Sequence, residues 1–431
     1  MFEVAKNAWK FPEVKKKVWC TIVLLVIFRF CSYIPVPLVD TGILKSFLSL
    51  GQGNTVFSLM DLFSGGAFSN ATIFAMGISP YINASIIVQL LSVAIPALER
   101  LQKDSINGRK KIFQLQRFVT ILLAFIQGIG IYYLLKTYGI VVKTEFLNIV
   151  TIVISFCAGT AFLMWLGERI TEKGIGNGVS LIIFSGIVSR MPSMAGVLYN
   201  FVKDSKNKAI AITNVNLILL ASILVTTFVV LMNEAERRIL VKYAKRIVGR
   251  KMYEGQNAHI PIKISSAGVT PIIFAMSIML FPSTISQLFG VNLKKESFWC
   301  KLLKVLSPNS WFYGIVYFFL IVFFTYFYAS IQFNPIEISN NMKKSGGFIP
   351  GIRPGHSTSD YISKVLSKIT LIGATFLGFI AVLPIFLNKK ISINGFNVGG
   401  TSLLIVVGVA LETVRYLESQ MIIKTHKGFL E

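Results

Sequence analysis

The chain alternates long apolar runs with short polar stretches. Runs of roughly 18 or more residues, the length that spans a hydrocarbon core, number ten: 18–36, 71–95, 112–135, 146–166, 178–197, 215–233, 268–289, 311–333, 369–387 and 399–417. The fifth is interrupted near its end by Arg190 and Pro192. One stretch fits no simple crossing. Residues 55–91 are largely apolar yet contain Gly65, Gly66, Gly77 and Pro80. At ~1.5 Å per residue a straight helix of that length overshoots a core of roughly 30 Å. The segment must break, and backbone freed inside a membrane is tolerated only beside protein or a water-filled cavity. The pattern predicts a short re-entrant helix over 55–70, ahead of the second span, with a pore or binding site around it.

Composition places the chain among polytopic membrane proteins: 431 residues, 54% hydrophobic, 14% charged, mean hydropathy +0.67. The fold class expected is all-α. The charged, amphipathic start MFEVAKNAWKFPEVKKK leads into a long apolar run without a small-residue cleavage site, so no cleaved signal is expected. Cys20, Cys31 and Cys157 lie inside apolar runs and Cys300 stands alone, which suggests no disulfide or metal framework. They read as small packing residues.

The formal charge of +24 has three possible sources: a nucleic-acid partner, an anionic lipid surface, or membrane topology. Ten crossings put both termini on one side. That side carries 28 of the 43 Lys and Arg residues and the other 13, with Arg29 and Arg117 inside spans. By the positive-inside rule both termini are cytoplasmic. The chain then divides into a tail (1–17), a first half (18–198), an external connection (199–214), a second half (215–420) and a final tail (421–431). Two basic cytoplasmic loops, 237–267 and 334–368, are rich in Gly and Pro and longer than connectors need. Single lysines there serve orientation; the mixture argues for shaped loops able to dock a large anionic or acidic partner.

GISPYINAS from Gly77 and GVTPIIFAM from Gly268 share the pattern G-[I/V]-[S/T]-P-x-I-x-A. They lie five spans apart. An odd offset reverses orientation, so the repeat predicts two inverted halves of five spans about an in-plane axis. Nine residues of common membrane types also match by chance.

Enzyme signatures are missing: no HExxH, phosphate loop, GxSxG or paired Cys occurs. His259, His356 and His426 fall in loops or the tail, where solvated or loop-packing roles are the ordinary ones. No cofactor and no enzymatic activity are expected. Span interiors hold little charge beyond Arg29, which snorkels or pairs with a neighbouring helix, Asp61 being one candidate partner. This scarcity counts against ion-coupled transport. Ile78 and Ile82 share a helical face just after the glycine break, and Val179 and Ile183 repeat that spacing. Aliphatic pairs of this kind are ordinarily packing or lipid-facing residues. Gathered into a constriction, they would exclude ions and water by dewetting.

Six long stretches resemble the SecY family, the central subunits of bacterial protein-conducting channels. They are DLFSGGAFSNATIFAMGISPYINASIIVQLL (61–91), FLMWLGERITEKGIGNGVSLIIF (162–184), ERRILVKYAKRIVGRKMY (236–253), HIPIKISSAGVTPIIFA (259–275), FNPIEISNNMKKSGGFIPGIRPG (333–355) and GGTSLLIVVGVALETVRYLESQ (399–420). The resemblance implies ten spans in two halves around a pore that translocates unfolded secretory polypeptides and releases transmembrane segments sideways into lipid. It implies a pore ring of Ile78, Ile82, Val179, Ile183, Ile273 and Ile405. Residues 55–70 correspond to the family's plug, with Leu59, Asp61, Leu62, Phe63, Ser64, Gly65 and Gly66 at its centre. The second and seventh spans correspond to the lateral gate, with the third and eighth alongside; Pro80, Asn83, Gln127, Pro271 and Phe274 fall on it. Arg250, Lys251 and Arg353 match loop positions that engage the ribosome or the SecA motor ATPase. SecE, SecG, secretory preproteins, signal peptides and membrane lipids are the other implied partners, in the cytoplasmic (inner) membrane, and this chain carries no nucleotide site of its own. Two departures bear on the seal: Asp61 stands where the family often has Asn, and Val179 is smaller than the commoner Ile.

Two other classes compete with a polypeptide channel. A secondary transporter of small solutes shares the inverted repeat but usually keeps ionisable residues at mid-membrane. A nucleic-acid-binding membrane protein accounts for the charge and predicts salt-sensitive RNA binding by the loops.

Overall fold

Each of the ten apolar runs folds as a helix, and local chemistry sets the helix ends. The structure, a computed structural model, describes residues 11–44, 61, 64–103, 106–141, 145–205, 207–243, 246–248, 251–253, 257–265, 268–288, 310–390 and 400–427. The first half contains α1 (Pro12–Cys31), α2 (Ser79–Ala94), the short amphipathic α3 (Pro96–Lys103), α4 (Ile106–Thr137), α5 (Phe146–Lys173) and α6 (Gly178–Asp204). The second contains α7 (Lys208–Glu234), strands β1 (Glu236–Tyr243), β2 (Arg246–Val248), β3 (Lys251–Tyr253) and β4 (Asn257–Lys263), then α8 (Thr270–Leu288) and α9 (Trp311–Gln332). There follow α10 (Pro335–Lys344), β5 (Gly347–Phe348), α11 (His356–Lys390) and α12 (Gly400–Lys427). Six of these, α4, α5, α6, α7, α9 and α11, are long and apolar enough to cross a membrane, while α2 and the first part of α8 are shorter apolar helices.

The second run departs most from its expected span. Of residues 71–95 only Ser79–Ala94 is helical, and residues 64–78 form successive turns around an isolated β-bridge at Thr72. Gly65, Gly66, Ala71 and Gly77 sit at φ of 65°, 90°, 45° and 58°, and left-handed residues cannot continue a right-handed helix. Helix α2 begins two residues after Gly77 with Pro80 in its first turn, where a missing N–H costs nothing. Gly268 has φ 60° and likewise stands two residues ahead of α8, whose second residue is Pro271. The short sequence repeat is thus one backbone device used twice.

Helix α6 runs past Arg190 and Pro192 to Asp204 instead of ending there. Its start is fixed by Asn177, whose side chain accepts from the amides of Val179 and Ser180 at 3.0 and 3.4 Å. Helix α11 begins 13 residues before its apolar run. That extension is amphipathic, with Ile362 and Leu366 buried one turn apart.

Packing follows the same order in both halves. In the first, α2 lies on α4, α4 on α5 and α5 on α6; in the second, α8 lies on α9, α9 on α11 and α11 on α12. The halves meet along two seams. At one, α8 rests on α2 and α4; at the other, α12 rests on α6 and α1. Lys17 on α1 donates to Gln420 on α12 across the second seam at 3.1 Å.

The two basic loops form a joint platform that includes a β-sheet, an addition to the expected all-helical fold. Strand β1 pairs antiparallel with β4 from Glu236↔Lys263 to Lys242↔Asn257. From the other loop, β5 joins the free edge of β1 through Lys242↔Phe348 and Tyr243↔Gly347. Residues of β1 alternate between exposed and buried, and Ile239, Val241 and Ile262 pack with Met342, Ile349, Ile362 and Leu366 beneath the sheet.

Candidate channel, plug and lateral gate

The six aliphatic residues expected to form a constriction come from four helices and the turn ahead of one of them, and all belong to or pack against one large apolar cluster that runs through both halves. Ile78 ends the turns that lead into α2, Ile82 lies on α2, Val179 and Ile183 on α6, Ile273 on α8 and Ile405 on α12. Ile78, Ile82, Ile183 and Ile405 are buried, with Ile405 wholly enclosed; Val179 and Ile273 are half-buried against them. Both halves therefore contribute aliphatic residues to one continuous apolar core. Such a surface makes no directional bonds, so it can exclude water at rest and reshape around varied side chains.

Residues 64–78 fold back over this cluster. Ala67 and Phe74 join it directly, and Phe74 stacks between Phe28 of α1 and Phe162 of α5 at 5.8 and 6.1 Å. The turn amides are satisfied locally. Gly66 N–H donates to the Asp61 carbonyl at 2.9 Å, Phe68 N–H to Ser64 Oγ at 3.1 Å and Ser69 N–H to Asp61 Oδ1 at 2.8 Å. Short β-like contacts with the chain after α1 hold the far end: Val36 N–H donates to Ala71 O and Ile73 N–H to Ile34 O. Leu59, Leu62 and Phe63 lie outside the described residues.

Asp61, one candidate partner for Arg29, pairs with another residue. Asp61 Oδ2 lies 2.6 Å from Arg190 Nη2 on α6. Arg29 Nη1 instead donates to the Gly65 carbonyl at 2.9 Å and its Nη2 to Tyr33 Oη at 2.9 Å. The reason is direction. The Asp61 carboxylate faces α6, whereas Gly65 turns its carbonyl toward α1. In sequence Arg190 reads as an interruption of an apolar run; a lone charge inside a span is itself the signal that it has a partner.

The residues expected at a lateral gate lie on the three helices of the first seam. Pro80 and Asn83 lie on α2, Gln127 on α4, Pro271 and Phe274 on α8. Phe274 is buried and packs edge-on against Phe324 and Tyr328 of α9 at 6.0 and 5.2 Å. Two residues of this seam were not singled out from sequence. Tyr328 Oη on α9 donates to Gln89 Oε1 on α2 at 2.7 Å, joining the two halves. A hydroxyl and a carboxamide in two apolar runs carry no individual signal.

On the platform, Lys251 lies in β3 of the β2–β3 hairpin and Arg250 lies outside the described residues. Arg353 follows the α10–β5 turn of the second loop, and its carbonyl accepts from Thr358 Oγ1 at 2.9 Å. The two loops are thus brought together by the sheet rather than hanging separately.

Solved structures share this architecture. "The structure of a protein conducting channel" matches with a TM-score of 0.63, 17% identity and 96% of both chains covered. A structure of SecY whose plug domain is described as stabilising the closed state and maintaining a membrane seal matches equally, at 0.63 and 17%. Sec61 in a canine ribosome–channel complex from the endoplasmic reticulum gives 0.62 at 17% identity over 96% of both chains. The fold is that of a protein-conducting channel. The SecY family model matches residues 72–414. Protein translocase subunit SecY of Escherichia coli (strain K12) is 41% identical over 435 residues, covering 100% of this chain and 96% of that protein. The same subunit of Halalkalibacterium halodurans is 40% identical over 437 residues, covering all of both. The chain belongs to the SecY family.

Proposed function

We propose that this chain forms the passage through which unfolded polypeptides cross the cytoplasmic membrane, with both termini and the basic platform on the cytoplasmic side. The observation that supports the reading is that Ile78, Ile82, Val179, Ile183, Ile273 and Ile405, from both halves, share one apolar cluster with Ala67 and Phe74 of the segment that precedes α2. The aliphatic ring closes the resting channel around no substrate and becomes a gasket around a moving chain. The segment around Asp61, Ser64, Gly65 and Gly66 is the plug. Separation of α8 from α2 and α4, at Pro80, Asn83, Gln127, Pro271 and Phe274, opens a side path by which an apolar signal helix partitions into lipid.

The chain contributes no chemical step. Work comes from partners, namely the ribosome during synthesis or the SecA motor afterwards, docked on the platform through Arg250, Lys251 and Arg353. SecE and SecG complete the membrane complex. The +24 charge serves topology and docking in this reading. The test is resting ion conductance of reconstituted channels. Replacing Ile78, Ile82 and Ile183 with Gly, or deleting residues 55–70, raises it; an unchanged conductance in both would overturn the assignment of seal and plug.

A further inference from the structure

We infer that the Asp61–Arg190 ion pair is a latch that holds the plug shut, specific to the charges this chain carries. The inference rests on the plug reading above and adds what keeps that plug in place. Arg190 is the only charged residue between Gly178 and Tyr199 of α6. Its guanidinium meets Asp61 at 2.6 Å, with the Asp61 side chain 6% and the Arg190 side chain 27% exposed. The Asp61 carboxylate is nearly dry, so it requires a cation.

A second contact lies one turn away in the same register. Gly65 sits four residues after Asp61 and Gly186 four before Arg190. A methyl group on Gly65 would come within 2.8 Å of Gly186 Cα, so the two backbones touch with no room for a side chain. The segment therefore lies antiparallel along one face of α6, ion pair at one end and glycine contact at the other. Arg29 holds the same Gly65 from α1 through its carbonyl at 2.9 Å. Two arginines from two helices thus hold Asp61 and Gly65 in an otherwise charge-poor bundle interior.

The function follows from where the charges are attached. Asp61 travels with the plug and Arg190 stays in the wall. Withdrawing the plug returns Asp61 to water and breaks the pair, so the pair favours the closed arrangement and yields when an entering polypeptide displaces the segment. Asp61→Asn tests this cleanly, since it removes the charge and keeps an oxygen able to accept from Ser69 N–H.

Channels with their native partner subunits are reconstituted in planar bilayers and resting conductance is compared for Asp61→Asn, Arg190→Gln, Arg190→Lys, the double variant combining Asp61→Asn with Arg190→Gln, and the 55–70 deletion. Each neutralising single variant is expected to raise resting open probability by at least about tenfold, since loss of one partner of a largely buried pair is strongly destabilising. The double variant should rise no further than the worse single, because one interaction has been removed in all three, and Arg190→Lys should stay near the parent. A Ser64→Cys thiol, placed where the native side chain is buried in the closed channel, should become alkylated in Arg190→Gln and stay protected in the parent. Unchanged conductance and protection in both single variants, with the deletion still leaky, overturn the latch and leave the plug. Additive effects in the double variant, or an Arg190→Lys channel as leaky as Arg190→Gln, overturn it also. A deletion without effect removes the plug reading and the latch with it.

Discussion

Tyr328 and Gln89, 239 residues apart and in different halves of the molecule, share a 2.7 Å hydrogen bond that links α9 to α2 beside the first seam. On the second-half side, Tyr328 packs edge-on against Phe274, so the bond ties the α8–α9 aromatic cluster to α2. Tyr328→Phe keeps the ring packing and deletes the hydroxyl. The loss is about 1 kcal/mol, all of it on the closed side of the equilibrium, since separation of the halves breaks the bond anyway. Export of a reporter with a shortened apolar signal should rise about fivefold in Tyr328→Phe; an unchanged or lower export would place the opening seam elsewhere.

Gly77 and Gly268 make a matched pair of substitutions. Both carry φ near 60°, so alanine at either costs roughly 1–2 kcal/mol of backbone strain. Their surroundings differ. An added Cβ at Gly77 would meet Ser64 at 3.5 Å, whereas at Gly268 nothing lies within 4 Å. Thermal unfolding in detergent should therefore show similar losses for Gly77→Ala and Gly268→Ala. Bulkier Gly77→Val should lose clearly more than Gly268→Val, and equal losses would contradict the packing of Gly77 on Ser64.

The platform separates stability from docking. Ile262 is fully buried between β1, α10 and α11, so Ile262→Ala should cost about 2–5 kcal/mol within the sheet. Arg353→Glu should leave the fold intact and reverse a charge. Both should weaken binding of ribosomes to channel-containing vesicles, Arg353→Glu most at low salt because exposed charges are screened. Resting conductance should stay at the parent level in both; a rise would mean that the platform also seals the pore.

Much of this fold is legible as pattern. Ten apolar runs became ten helices, and the Gly-x-x-Pro repeat marked two equivalent helix starts. Helix ends were less legible, for physical reasons. Hydropathy registers the bilayer and not the helix, so it missed the amphipathic 13-residue start of α11 and overextended the second run across the left-handed Ala71 and Gly77. The β4–β1–β5 sheet was hidden because β5 is only two residues long and β1 buries only Ile239 and Val241. The aliphatic ring needed more than sequence pattern, since i, i+4 isoleucines are everywhere in membrane helices; a long-motif resemblance selected six aliphatic residues, which in the fold belong to one large apolar cluster with residues of both halves. Arg190 was visible as an anomaly, but its pairing depends on the direction of a side chain at Asp61, which no spacing encodes.

The central claim is that a polypeptide passes through the aliphatic cluster shared by the two halves. The direct measurement is disulfide cross-linking of a stalled secretory chain carrying one cysteine to channels with cysteine at Ile82, at Ile273, or at Leu220, an exposed residue on the outer face of α7. The account predicts cross-links from Ile82→Cys and Ile273→Cys, one from each half, and none from Leu220→Cys. Failure at both ring positions, or equal reaction at Leu220, would contradict it.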